Sequence, residues 1–246
     1  MTYRSASKFY DLFGSKRDLA FYRDVACQSG TEALELGVGT GRVAIALAHA
    51  GIQVLGLDSS THMLQLAREK LAKEPEAVQR RVTLMLGDMR DFDLKRSFPF
   101  IYLPASTFDH NLTHDDQHRV LRCVHTHLRP NGRFAFDLDQ TPETPDRTWW
   151  IDRHELKGDR MAVRSVFKRR DEQQCRLHLD LFFDVYADGK LVERYHEYGE
   201  TAILSKDDVV APLNEAGFHV CNAYGDFTRS SYRFTSPRMV FVATRT

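Results

Sequence analysis

Glycine recurs at every second position in Glu35-Leu36-Gly37-Val38-Gly39-Thr40-Gly41, directly after a short apolar run and before a stretch rich in Ala, Leu and Ile that starts at Arg42. Glycines so spaced let the backbone approach a ligand closely and take conformations closed to other residues. Where a strand feeds a helix through such a bend, a nucleotide-sized ligand lies over the helix N-terminus at the carboxyl edge of a sheet. A dinucleotide fingerprint needs its third glycine at position 42, and that residue is Arg42. Asp58 ends the apolar run Val54-Leu55-Gly56-Leu57, where a carboxylate can accept from both ribose hydroxyls of a nucleoside. With Ser59 and Ser60 it also precedes a helix and could cap it, and the two roles are compatible. A third site, Gly87-Asp88-Met89, follows another apolar run, and a fourth, Leu103-Pro104-Ala105-Ser106-Thr107-Phe108-Asp109-His110, follows the next. The backbone of this last loop is expected to face the reacting centre. His110 is the candidate general base, because histidine titrates near neutrality. With 11 histidines in the chain, an ordinary loop histidine is the competing reading.

The pattern E-x-G-x-G-x-G resembles motif I of the class I S-adenosylmethionine-dependent methyltransferases. The resemblance implies that Glu35 lies near the methionine amino group and that Gly37, Val38, Gly39 and Gly41 underlie S-adenosylmethionine. It further implies that Asp58 and Ser59 take the ribose side and that Met63 packs near the adenine. Asp88 would accept from the adenine amino group, Met89 would line the base, and Leu103 and Pro104 would face the sulfonium. Leu128-Arg129-Pro130-Asn131-Gly132 is similar to the family's Leu-x-Pro-Gly-Gly turn; Asn131 replaces one glycine, and asparagine also tolerates positive φ. The opening Tyr10-Asp11-Leu12-Phe13 and a strand insert after the fifth strand resemble a small-molecule subgroup that includes amino-sugar N-methyltransferases, in which the tyrosine (here Tyr10) sits over the active site. No Asn-Pro-Pro-Tyr motif of the kind found in enzymes acting on DNA or protein amines follows the fourth strand.

The elements that must position these residues alternate. Ser7 to Gln28 carries a helical pattern; strands are expected at Ala33–Leu36, Gln53–Leu57, Val82–Leu86, Phe100–Leu103 and Arg133–Leu138, with helices at Arg42–Ala50, Ser60–Lys73 and Gln117–Leu128 between them. Such alternation predicts an α/β, Rossmann-like methyltransferase fold: a mostly parallel seven-stranded sheet with helices on both faces. After a loop at Thr141–Pro145 the period becomes two. Leu177, Leu179, Leu181, Phe183 and Val185 alternate with Arg176, His178, Asp180, Phe182 and Asp184, and Asp188-Gly189 marks a hairpin turn. The reading is one methyltransferase domain over 1–246, in which 141–203 form an antiparallel β insert capping the active site. Trp149 and Trp150 are read as core or interface residues before an aromatic wall, and Tyr195 and His196 as candidate lining residues. The run Lys168-Arg169-Arg170 reads as a solvated strand end. A helix from Lys206 to Ala216 with Gly217 as its cap, and strands at Phe218–Ala223 and Met239–Thr244, close the chain.

Composition fits this reading. Hydrophobic residues make up 42% and charged residues 28% of 246, and Lys plus Arg equals Asp plus Glu at 34 each. The missing basic excess weighs against nucleic acid as partner. No apolar run approaches the roughly 18 residues of a membrane helix, and Met1–Ser5 lacks the apolar core of a signal peptide. Cys27, Cys123, Cys175 and Cys221 show no CxxC pair; they read as reduced, mostly buried thiols of a cytoplasmic protein, with no metal site. The expected activity is in-line transfer of a methyl group to a nitrogen or oxygen of a small molecule, with the insert a candidate homodimer surface. Two alternatives keep the fold: a non-catalytic S-adenosylmethionine-binding protein, and an aminopropyl-transferase-like enzyme. The second needs acidic residues after the fourth strand, where only Asp109 stands.

Overall fold

The computed structural model describes residues 7–139 and 147–245. The chain divides into two compact units, Met1–Ser15 with Glu143–Ile203, and Lys16–Pro142 with Leu204–Thr246. The loop expected at Thr141–Pro145 lies outside the described residues. In chain order, after a 3-10 turn at Ser7–Phe9, the elements are α1 (Tyr10–Phe13), α2 (Leu19–Ser29), β1 (Glu32–Leu36), α3 (Arg42–His49), β2 (Gln53–Asp58), α4 (Thr61–Leu71), α5 (Glu76–Gln79), β3 (Val82–Leu86), β4 (Phe98–Leu103), α6 (His114–His127) and β5 (Leu128–Asp139). Strands β6 (Arg147–Glu155), β7 (Arg160–Asp171), β8 (Arg176–Ala187) and β9 (Lys190–Ala202) follow, then α7 (Lys206–Glu215), β10 (Phe218–Tyr224) and β11 (Arg238–Arg245). The one helix expected from Ser7 to Gln28 is two, because Gly14 is extended (φ −73°, ψ 136°) and ends α1; the two pieces belong to different units.

In the larger unit a seven-stranded sheet runs β10-β11-β5-β4-β1-β2-β3, parallel except for β11, which is antiparallel to both its neighbours. Alternate residues of each buried strand feed opposite faces. Ala33, Phe100 and Tyr102 pack under Val43, Ala44, Leu47 and Leu64 with Phe21, Tyr22 and Val25 of α2. Leu34, Leu36, Ile101 and Leu103 face Val120, Leu121 and Val124 of α6 and Val209 and Leu213 of α7. Near-continuous apolar strands are what a sheet covered on both faces requires. Leu128 pairs with Phe98, and the register shifts before Arg133 pairs with Phe100. At that irregularity Asn131 takes the positive φ (61°), while a Cβ at Gly132 would lie 2.8 Å from the Arg129 carbonyl oxygen. Asparagine thus meets the conformational demand and glycine the steric one.

The smaller unit is an antiparallel meander, β6-β7-β8-β9. Its hairpin turn is where the sequence put it, with Asp188 at φ 50° and Gly189 at φ 72°. One face buries Ala162, Val166, Leu181, Phe183 and Val185 against Phe9, whose ring stacks on Phe183 at 5.7 Å. Tyr195 lies on this covered face, its hydroxyl 2.7 Å from Lys8 Nζ. On the opposite face His196 stacks on Phe182 at 4.4 Å, and Trp149 stacks on Phe167 and is 65% exposed, outside the core. The cysteine expectation also fails. Cys27, Cys175 and Cys221 are exposed and Cys123 half-buried, since they occupy the outer side of α2, the β7–β8 turn, the sheet-edge strand β10 and the partly exposed side of α6. Among the described residues no helix is long and apolar enough to cross a membrane.

Candidate active site

The glycine bend joins β1 to α3. Gly37, Gly39 and Gly41 have φ of 71°, 54° and 77°, a region that costs other residues about 1–2 kcal/mol each. Gly37 is doubly constrained, because a Cβ there would sit 2.5 Å from Thr107 Cγ2 of the loop after β4. The bend is held from below by the Leu57 carbonyl, which accepts from Gly37 and Val38 amides at 2.8 and 3.0 Å. Val38 is buried against Gly56, and Leu103 is fully buried, so neither side chain is free to meet a ligand and each offers backbone only. Pro104 is also buried, and Met63 is 6% exposed.

Asp58 closes this cradle. Its Oδ2 accepts from the Gly39 amide at 2.7 Å and its Oδ1 from the Ser60 amide at 2.8 Å. Burial raises its carboxyl above the ordinary value, and these backbone donors pull it back. A carboxylate has about four acceptor positions, and these amides, with that of Ser59, do not fill them. Ser60, not Asp58, caps α4, its Oγ accepting from Met63 N at 3.2 Å; Ser59 is exposed beside it. Arg42, at the position a dinucleotide fingerprint reserves for glycine, makes a bidentate pair with Asp18 at 2.6 Å through each nitrogen, tying the start of α2 to the start of α3.

Glu35 is 1% exposed and sits opposite Tyr102 in the β1–β4 register. The Tyr102 hydroxyl donates to Glu35 Oε2 at 2.8 Å, yet desolvation pushes the carboxyl up to about 8. A buried acid that keeps its proton near neutrality is poised to change state when a cation arrives beside it.

Asp88, after β3, is held by Arg90. The guanidinium reaches Oδ1 and Oδ2 at 3.0 and 2.6 Å, the Arg90 amide adds a bond to Oδ1 at 2.9 Å, and a further arm reaches Asp116 of α6 at 3.2 Å. These bonds hold Asp88 below the usual carboxylate range. Beside it the Met89 sulfur takes a contact from Asn111 Nδ2 at 3.6 Å. His110 ends a 3-10 turn, Thr107–His110, between buried Asp109 and buried Asn111. Asn111 is pinned by its bond to the Phe108 carbonyl (2.9 Å) and by Gln117 Nε2 on its own carbonyl (2.9 Å), so the exposed His110 rides on a fixed support. Tyr10 lies in the smaller unit and is half-buried in α1.

The larger unit therefore brings Glu35, Gly37, Val38, Gly39, Gly41, Asp58, Ser59, Met63, Asp88, Met89, Leu103, Pro104 and His110 into one sheet with its helices. A match to the family model described as a methyltransferase domain spans residues 33–132, from β1 through the turn into β5. The chain carries a methyltransferase domain. This methyltransferase is 28% identical over 220 residues to the cypemycin N-terminal methyltransferase of a Streptomyces species, covering 88% of this chain and 84% of that one. Among solved structures it is similar to the CcbJ methyltransferase of Streptomyces caelestis, with a TM-score of 0.84, 23% identity, and coverage of 100% and 98% of the two chains. It is likewise similar to CalS10 of Micromonospora echinaspora, an amino pentose methyltransferase solved with S-adenosylmethionine, with a TM-score of 0.79, 22% identity, and coverage of 100% and 98%.

The cradle fits that cofactor: three left-handed glycines carry no side chain over the bend, and Asp58 keeps acceptor capacity above it. Sequence reasoning missed Tyr102, Arg90 and the Asp18–Arg42 pair. It also passed over Asp137, a fully buried acid in the apolar strand Phe134-Ala135-Phe136-Asp137-Leu138. One charge inside a strand covered on both faces was the signal available.

Proposed function

We propose that the methyltransferase acts on a nitrogen or oxygen of a small molecule, with an amine the favoured acceptor. The observation that carries this is the β4 loop, Pro104–Asn111, which offers Thr107 against Gly37 and the exposed His110 in place of an aromatic amide-gripping motif. The zero net charge and the acceptors in the names of the cypemycin and amino pentose enzymes support the same reading. In it Gly37, Gly39 and Gly41 bear the cofactor, Asp58 and Ser59 take the ribose, Asp88, Met89 and Met63 the adenine, and Glu35 the methionine ammonium. Leu103 and Pro104 back the sulfonium through their main chain. The bound cofactor supplies an electrophilic methyl group. Holding a nucleophile in line with it and excluding water is worth roughly 7–11 kcal/mol of barrier. His110 takes the acceptor's proton, a contribution typically of 10²–10⁴-fold. The aromatic face of the strand unit, with Trp149, is the surface for a second copy of the chain. Location in the cytoplasm belongs to the same proposal.

The test is turnover. S-adenosylmethionine is incubated with the protein and a panel of amino sugars, short peptides with free N-termini and hydroxylated aromatics, and S-adenosylhomocysteine is measured. Release with amines supports the proposal. Tight S-adenosylhomocysteine binding without release against any of the panel would favour a non-catalytic binder, and transfer only to oligonucleotides would overturn the small-molecule assignment.

A further inference from the structure

Asp137, at the end of β5, is 0% exposed and makes no contact that the proposed chemistry uses. Both its oxygens are saturated. Oδ1 accepts from the Tyr22 hydroxyl of α2 at 2.6 Å and from the Ala105 amide at 3.0 Å; Oδ2 accepts from the Ser106 amide at 3.2 Å and from Arg238 Nη1 of β11 at 2.5 Å. Four donors on two oxygens fill every acceptor position a carboxylate has. Arg238 also reaches Asp139 at 2.7 Å, and Ser106 Oγ accepts from the Asp139 amide at 2.9 Å.

The two amides come from successive residues with positive φ, Ala105 at 60° and Ser106 at 57°. Neither is glycine, so this backbone is strained wherever nothing holds it. Successive N–H groups in such a bend converge on one point and make an anion site. Here the anion is supplied from within the chain. Burying an ion is unfavourable unless it is paired and fully hydrogen-bonded, and Asp137 meets both conditions at the one place where β4 leaves the sheet. The strained pair is followed by Thr107, whose methyl fills the space that a Cβ on Gly37 would need and whose hydroxyl donates to the Pro104 carbonyl at 2.5 Å.

We propose that Asp137 is a positioning residue for methyl transfer: with Tyr22 and Arg238 it locks Ala105 and Ser106 in their strained form, and so fixes Thr107 against the glycine bend and His110 beyond it. The role rests on the methyl-transfer reading, but the lock itself is tested without turnover. In Asp137→Asn the amide NH2 must face at least one backbone donor, so the lock fails while side-chain volume is kept.

The measurement is hydrogen exchange of the full chain, with S-adenosylhomocysteine binding by calorimetry in parallel. The expected result is exchange at Ala105–Thr107 at least tenfold faster, the strands β1 and β2 unchanged, and affinity for S-adenosylhomocysteine within about fivefold. With an acceptor in hand, kcat falls 10- to 100-fold and the acceptor KM less. Adding Ala105→Gly, which removes the conformational penalty, restores part of kcat; a purely structural role would not respond to it. Tyr22→Phe, which deletes one donor, gives the same local effect at about threefold and serves if the Asn variant does not fold. Unchanged exchange at Ala105–Thr107 in Tyr22→Phe and Asp137→Asn, or acceleration spread evenly over the whole sheet, would overturn the proposal.

Discussion

Two groups of acidic side chains, one in each unit, are held in opposite ways. In the α/β unit Glu35, Asp58 and Asp137 stand at or near the carboxyl ends of β1, β2 and β5, and burial drives the carboxyl of each upward. In the strand unit Glu193 and Glu200 are pulled down, Glu193 to about 2, by hydrogen bonds from Tyr195 and Tyr198, with Lys8, Arg160 and His178 assisting. The first group sits where desolvation disfavours its charge. The second is held by hydrogen bonds and cations at the surface. Desolvated acids gathered on one rim of a sheet are the signature of a site; solvated pairs are the signature of a surface.

Asp58→Ala is the largest expected break in that contrast. Two charge-assisted bonds at roughly 1.5–3 kcal/mol each predict a loss of cofactor affinity of at least 100-fold, with the melting temperature moving by only a few degrees. Calorimetry with S-adenosylhomocysteine checks it, and unchanged affinity would remove Asp58 from the site. Phe9→Ala is the mirror experiment in the strand unit. Its ring is 4% exposed and stacks on Phe183, so truncation should cost about 3–5 kcal/mol of stability and leave S-adenosylhomocysteine affinity in the folded protein unchanged. Chemical denaturation and calorimetry together separate the two outcomes.

The contrast also explains what was legible. The inner strands of the α/β unit were legible as apolar runs because both faces are covered and the pattern is unbroken, as in Phe98–Leu103. The glycine bend and Asp58 were legible because their chemistry is local: a strand, a turn and a helix adjacent in sequence. Asp137 was not, since its partners Tyr22, Ala105, Ser106 and Arg238 come from four separate segments and no spacing in the chain records their meeting. Gly14 was overlooked for another reason. Apolar residues recur at helical spacing on both its sides, and only the change of unit reveals the break. In the strand unit the period-two pattern gave the strands and the Asp188-Gly189 turn, but alternation tells which face is apolar and not what covers it. Hence Trp149 and Trp150 were read together as core or interface, although Trp149 is exposed and Trp150 half-buried.

His110→Ala tests the chemistry on the α/β side at a smaller scale. Turnover should fall by one to two orders of magnitude with cofactor affinity nearly preserved, and full activity would reduce His110 to a bystander.

The finest test compares Glu35→Gln with wild type across pH. The folded-state value of about 8 lies above the ordinary 4.5 because burial disfavours the anion. Folded protein therefore holds a proton there that the unfolded chain has released between those values. By linkage, stability from this group is complete below pH 4.5 and is lost as pH rises through about 8. Glutamine cannot titrate, so the melting temperature of the variant should fall less than that of wild type between pH 5 and pH 8.5, both measured without cofactor. Asp58 and Asp137 titrate in both proteins and cancel in the difference. S-adenosylhomocysteine sharpens the point: an ammonium placed beside Glu35 favours its anion, so wild-type binding should release a proton near pH 7, seen as a buffer-dependent enthalpy that the variant lacks. Parallel melting curves across pH, with the same proton release from both proteins, would place Glu35 among the solvated acids of the other unit and remove it from the desolvated rim.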